Sequence, residues 1–179
     1  MRIAYADPPY PGYSHLYKHH EDYGGEVDHV ELLRKLDSYD GWVLHTASVS
    51  LTEVIDCVAA AGISHSDYRI FAWVKPFAAF KANVPVAYAW EPVLVKACRR
   101  PTVENSHQTM RDWFAENITL QRGLVGVKPE RVCWWLFDCL GATPDDDLDD
   151  LFIGSGAVTE AWNRWRNRQH PEPLELELA

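Results

Sequence analysis

Asp150-Leu151-Phe152-Ile153-Gly154-Ser155-Gly156 closes a short apolar run, Leu148 to Phe152, turns on two glycines, and enters a periodic stretch from Ala157 to Arg168. A strand that feeds a glycine turn and then a helix is the repeating unit of α/β sheet proteins. Glycines let the backbone approach a ligand closely, and the helix start beyond them offers free N–H groups and a positive dipole end. A cofactor fits this corner, although a G-x-G turn by itself is more often just a tight strand-to-helix connection.

The same alternation of short apolar runs and helical stripes extends back along the chain. Arg2 to Ala6 reads as a strand stopped by Pro8-Pro9, Asp28 to Leu36 as a helix, Trp42 to His45 as a strand, and Leu51 to Ala61 as a helix closed by Gly62. Arg69 to Val74 and Val93 to Ala97 read as strands, with an irregular stretch from Lys75 to Trp90 between them. His107 to Glu116 is expected as a helix, Pro129 to Leu140 as a helix with proline in its first turn, and Leu174 to Leu178 as a final edge strand. The expected architecture is therefore a sheet of about six strands with helices on both faces.

The chain has 179 residues, enough for one ordinary domain. Its 47% hydrophobic and 24% charged residues exclude a disordered or fibrous class. No apolar run is long enough to span a bilayer and no signal-peptide pattern opens the chain, so neither membrane insertion nor export is expected. Cys57, Cys98, Cys133 and Cys139 form no C-x-x-C pair and sit mostly in apolar segments, which points to reduced, buried thiols and a cytoplasmic setting. The formal net charge of -9 argues against a nonspecific nucleic-acid coat, yet Lys75 to Arg100 and Arg164 to Arg168 concentrate positive charge locally.

Asp7-Pro8-Pro9-Tyr10 sits where the first strand ends. The two prolines stiffen the loop before any ligand arrives. Such a loop can aim the Asp7 carboxylate and the Pro8 carbonyl at one amino group while Tyr10 offers a face for a planar base. The plain alternative is a rigid turn leaving a strand.

Taken together, these motifs resemble the S-adenosylmethionine-dependent amino-group methyltransferases of DNA, in the permuted order that puts D-P-P-Y before F-x-G-S-G. Asp7-Pro8-Pro9-Tyr10 is similar to the catalytic motif and Phe152-Ile153-Gly154-Ser155-Gly156 to the cofactor loop. Gly126-Val127-Lys128-Pro129 resembles the K-P segment ahead of the cofactor strand. Ala72-Trp73-Val74-Lys75-Pro76 and Trp90-Glu91-Pro92-Val93-Leu94-Val95 resemble two further strands of the family.

The resemblance implies a Rossmann-like methyltransferase sheet in circularly permuted order, organised as one domain over 1–179. A catalytic half occupies 1–100, a small recognition or linker segment 101–125, and a cofactor-binding half 126–179. It implies Asp7, Pro8, Pro9 and Tyr10 as catalytic residues. Asp150, Phe152, Gly154, Ser155, Gly156, Lys128 and Pro129 would meet the cofactor, with Glu175 or, equally, Glu177 on its ribose. The substrate class is DNA, duplex or single-stranded, with Lys75, Lys81, Arg99, Arg100 and Arg122 as phosphate contacts and Tyr13, Tyr17 and His20 near the base. D-P-P-Y leans to the N6 amine of adenine over N4 of cytosine. An RNA enzyme and a noncatalytic methyltransferase-like subunit are the alternatives, and a homodimer or partner subunit could complete a recognition surface this small.

No proline precedes a cysteine, so a covalent route through a Pro-Cys nucleophile is not expected. His15, His19, His20 and His29 lie in or beside a glycine-rich loop, and no metal is expected there. Asp145 to Asp150 lacks the glycine and terminal glutamate of a calcium loop and reads mostly as a solvated turn. Trp134, Trp135, Trp162 and Trp165 read as packing residues.

Overall fold

In a computed structural model of the chain, residues 1–14, 25–77, 84–100, 109–119 and 127–167 are described. Arg2–Ala6 forms β1 and Gly41–His45 forms β2, two runs buried on both faces, as expected of central strands that pair in parallel. Arg69–Val74 forms β3, Trp90–Lys96 forms β4, Trp113–Ala115 forms β5 and Asp147–Asp150 forms β6. They assemble one mixed sheet in the order β5-β3-β4-β2-β1-β6. β1 is parallel to β2 and to β6, β4 runs antiparallel to both β2 and β3, and β5 is parallel to β3.

The two-residue period of the strands sorts their side chains onto two faces. Ile3, Tyr5, Val43, Phe71, Trp73, Val93 and Val95 pack with α3 (Glu130–Leu140) and α4 (Ala157–Arg166). Ala4, Ala6, Trp42, Leu44 and Leu94 pack with α1 (His29–Asp37) and α2 (Leu51–Ala60) on the other. Asp28 starts α1 as an N-cap that accepts from Val30 N–H and Glu31 N–H. Gly141, at φ +69°, ends α3 in the left-handed conformation that glycine adopts without penalty.

Three expectations are corrected. The segment expected as a helix from His107 to Glu116 carries β5 in its described part. Tertiary contacts decide it, for Phe114 stacks on Trp135 and Trp73 Nε1 donates to the Glu116 carbonyl at 2.8 Å. The acidic run is not mainly a solvated turn, because Asp147–Asp150 is β6 and Asp146 is buried. The last described strand accordingly ends at Asp150 rather than Phe152. The expected strand from Leu174 to Leu178 lies outside the described residues.

All four cysteines are free thiols. Burial pushes the Cys133 thiol up to about 12. Trp135 and Trp162 are core residues, and Trp162 stacks on Trp165 with ring centres 5.0 Å apart. Among the described residues, no helix is long and apolar enough to cross a membrane.

Candidate active site

β1 and β6 lie side by side, with Tyr5 opposite Asp150. Beyond β1 the chain reaches α1 on one face of the sheet, whereas beyond β6 it enters α4 on the other. Adjacent parallel strands that send their connections to opposite faces leave a crevice at their carboxyl ends. The two loops that border it are Asp7-Pro8-Pro9-Tyr10 and the segment from Leu151 to Gly156.

In the first loop Pro8 is buried, Asp7, Pro9 and Tyr10 are half-buried, and a turn closes where Tyr13 N–H donates to the Tyr10 carbonyl at 2.9 Å. In the second, Gly154 and Gly156 take positive φ of 48° and 76°. A Cβ on Gly156 would meet nothing within 4 Å, so the turn presents open space to a ligand. Gly156 caps α4 without a side-chain hydrogen bond, leaving the first-turn N–H groups free of a side-chain cap. The Asp150 carboxyl accepts from Thr159 Oγ1 at 3.1 Å and from Phe152 N–H at 3.4 Å. Burial pushes its pKa up, against those two hydrogen bonds, and the charge of Asp7 adds to the rise.

Behind Asp7 lies a connected polar network. β4 runs opposite to its neighbours, so its first residues enter the sheet at the rim where the parallel strands leave. That direction delivers Glu91 into the end of the crevice. Glu91 Oε1 accepts from His45 Nδ1 at 2.6 Å and from Lys128 Nζ at 2.9 Å, while Oε2 accepts from Lys75 Nζ at 2.7 Å. Lys128 Nζ also lies 2.9 Å from Asp7 Oδ1. His45 Nε2 stands 2.6 Å from the Tyr5 hydroxyl, which in turn is 3.9 Å from Cys133 Sγ. The ammonium groups of Lys75 and Lys128 sit 4.4 and 5.6 Å from the centre of the Trp73 ring. Tyr5, His45, Trp73 and Glu91 share the strand parity that faces α3, which gathers them on one side of the sheet.

The charge states follow from burial and partners. Burial lowers the pKa of His45, helped by the Lys128 charge, and outweighs the pull of Glu91. A neutral ring then donates from Nδ1 to the carboxylate and accepts at Nε2 from the Tyr5 phenol, whose own pKa burial drives well above its usual value. Burial alone would raise Glu91, but Lys128, His45 and Lys75 hold it well below the usual carboxylate range. Burial likewise opposes the Lys128 charge, and Asp7 with Glu91 overcomes it, so the ammonium persists far into alkaline pH. Two carboxylates, two ammoniums and a neutral imidazole make the cluster neutral overall, the arrangement that lets charges stay buried.

Asp7, His45 and Glu91 place three ligand atoms within 4.8 Å of one another. The Lys128 ammonium contacts both carboxylates of this set and supplies the cation that balances them.

The structure brings Asp7, Pro8, Pro9, Tyr10, Lys128, Pro129, Asp150, Phe152, Gly154, Ser155 and Gly156 to one rim. Lys75 reaches that rim too, but its ammonium is taken by Glu91. Arg99 follows β4 at the opposite rim, where its guanidinium grips Asp146 through both nitrogens and donates to the Gly141 carbonyl at 2.7 Å. Arg100 beside it is exposed. Lys81, Arg122, Tyr17, His20, Glu175 and Glu177 lie outside the described residues. Sequence reasoning missed Tyr5 and His45, and it read Glu91 only as part of a strand. The available signal was a histidine and a glutamate at the ends of otherwise apolar strands, positions where a polar side chain needs a partner.

No family model and no curated protein matches the sequence. Solved structures do match in shape. The chain is similar to the crystal structure of the M1.HpyAVI–SAM complex, with a TM-score of 0.62 and 15% identity over 92% of this chain and 78% of that one. A second match is the crystal structure of M1.HpyAVI, with a TM-score of 0.57 and 13% identity over 92% of this chain and 76% of that one. The shared property is the fold.

Proposed function

We propose that this chain transfers a methyl group from S-adenosylmethionine to the exocyclic N6 amine of adenine in DNA. The observation that carries the reading is the crevice between β1 and β6, which sets the Asp7 carboxylate beside a glycine turn and an open helix start. Similarity in fold to a protein crystallised with SAM supports the same cofactor here.

The residues fit the group. Gly154 and Gly156 offer backbone without side-chain obstruction, Asp150 stands where the turn begins, and Pro129 lies at the same rim just before α3. When bound, the cofactor supplies a sulfonium-activated methyl group. An exocyclic amine is a poor nucleophile because its lone pair is delocalised into the ring. Asp7 and the Pro8 carbonyl accept the amine's hydrogens and thereby favour a tetrahedral nitrogen. They also stabilise the positive charge that grows on it, an effect stronger in the transition state than in the bound substrate. Tyr10 stacks on the base, which in duplex DNA has to be flipped out of the helix at a cost of a few kcal/mol. The methyl would pass directly to the amine nitrogen as its bond to the sulfonium sulfur breaks, leaving S-adenosylhomocysteine, and the nitrogen would then release one proton to solvent, with no covalent enzyme intermediate.

The test is methyl transfer from labelled S-adenosylmethionine to duplex DNA, single-stranded DNA and RNA, followed by nucleoside mass spectrometry. N6-methyladenine from DNA that vanishes with Asp7→Ala is the expected result. N4-methylcytosine, or product from RNA alone, would move the reading to that substrate. Nucleic-acid binding with neither product nor cofactor binding would establish a noncatalytic subunit instead.

A further inference from the structure

We propose that Lys128 and Glu91 are positioning residues for Asp7: Glu91 anchors the Lys128 ammonium, and that ammonium fixes one oxygen of Asp7 so that the other faces the incoming amine. The inference rests on the methyl-transfer reading and gives Lys128 a role directed at Asp7 rather than at the cofactor.

Four observations carry it. Lys128 Nζ lies 2.9 Å from both Asp7 Oδ1 and Glu91 Oε1, so it bridges two carboxylates and its charge is already satisfied. Exposure rises along the chain of contacts, from 6% for the side chains of Lys128 and Glu91 to 24% for Asp7. A substrate therefore meets Asp7, and the lysine lies behind it. Lys128 engages Asp7 through Oδ1, and Oδ2 is the oxygen assigned to a donor from outside. Glu91 is itself fixed from three elements, by His45 on β2, Lys75 after β3 and Lys128 before α3. A carboxylate held in this way has few rotamers left, and placement to within a fraction of an ångström is what orientation-based catalysis needs.

The charge pattern explains why both residues are required. A bare ammonium behind Asp7 would oppose the positive charge that develops on the substrate nitrogen. Glu91 cancels that opposition and keeps the mechanical hold. The groups that face Lys128 and His45 from the surrounding elements are Tyr5, Asp7 and Tyr10 from β1 and its exit, Glu91 from β4 and Cys133 from α3, with Lys75 after β3 on the other oxygen of Glu91.

The experiment compares the native chain with Lys128→Met, Lys128→Ala and Glu91→Gln, with folding checked by circular dichroism. With saturating cofactor, kcat is expected to fall by about 10- to 100-fold in each variant, the loss typical of a misplaced catalytic group. Cofactor Kd should stay within about 2-fold, because Lys128 and Glu91 act on Asp7 and not on the cofactor. Methylammonium should restore part of the rate of Lys128→Ala in a saturable way, and tetramethylammonium should not. A merely structural lysine would give no such rescue. Should Lys128→Met fail to fold, the Lys128→Met/Glu91→Gln double variant, which removes both charges, provides a neutral replacement with the same expected loss of kcat. Raised cofactor Kd with unchanged kcat would overturn the proposal and make Lys128 a cofactor ligand, and unchanged kinetics would overturn it outright. A second readout needs no activity: the His45 ring, followed by NMR, should titrate at higher pH in Lys128→Met than in the native chain. Absence of product from the native protein would remove the methyl-transfer reading, while this titration still decides whether Lys128 and the Glu91–His45 pair act as one unit.

Discussion

The Tyr5 hydroxyl donates to His45 Nε2 across 2.6 Å, and neither side chain reaches solvent. Because burial lowers the folded pKa of His45 below its ordinary 6.5, the unfolded chain takes up a proton more readily as the solution is acidified. The stability this ring contributes is complete above its unfolded pKa and is lost as pH falls towards the folded one. Thermal unfolding from about pH 7.5 to about pH 5 should show a falling midpoint. The His45 ring signals should show no titration centred on the ordinary value, and a midpoint there would refute the assignment of a neutral ring.

At the opposite rim, Asp146 accepts both guanidinium nitrogens of Arg99, the Thr143 N–H at 2.7 Å and the Met1 amino group at 2.8 Å. The Arg99 hydrogen bonds hold its pKa far below the ordinary 3.8, against the opposing effect of burial. That stabilisation is present above the ordinary value and disappears as pH drops towards the folded one. Asp146→Asn should cost about 3 kcal/mol in urea unfolding at neutral pH, the scale for breaking a buried ion pair from one side. It should also flatten the acid limb of the stability profile. A variant as stable as the native chain would show that Arg99 and Asp146 are held by something else.

Gly141 and Gly156 both have positive φ, but their surroundings differ. A Cβ on Gly141 would fall 2.5 Å from the Arg99 carbonyl oxygen, whereas one on Gly156 meets nothing within 4 Å. Gly156→Ala should carry backbone strain alone, about 1 kcal/mol. Gly141→Ala adds a collision with backbone and should cost at least about 2 kcal/mol. Equal midpoints in chemical denaturation would contradict this ordering.

Phe114 holds β5 to the sheet through its stack on Trp135, with ring centres 5.6 Å apart. Phe114→Ala is expected to cost about 2 kcal/mol, below the range for a fully buried phenylalanine because the ring is half-buried. Hydrogen exchange should then accelerate at Phe114 and Ala115 while β1 and β2 keep their protection. Uniform acceleration across the sheet would show that β5 unfolds with the core.

The central strands were legible because Ile3 to Ala6 and Trp42 to Leu44 are unbroken apolar runs, the mark of strands covered on both sides. α3 was legible from Pro129 and from the apolar stripe through Val132, Leu136 and Leu140. β5 was not, because a three-residue strand carries too little local pattern, and its state is set by Trp73 and Trp135 from distant parts of the chain. In the crevice, Asp7 and Gly154 to Gly156 stood out because glycine and proline signal backbone geometry directly. Tyr5, His45 and Glu91 did not. Their significance depends on three strands meeting at one rim, and strand order is not written in local sequence.

The antiparallel course of β4 ties the chemistry of the crevice to the pairing register of one hairpin. Trp90 pairs with Val74 and Glu91 with Trp73, so a slip of one position would turn the glutamate to the other face of the sheet and bring an indole into its place. The outline of the sheet would survive such a slip, but Lys75, Lys128 and His45 would lose their common anion together. The native β3–β4 register is therefore what keeps Glu91 on the face of the sheet that carries His45, Lys75 and Lys128.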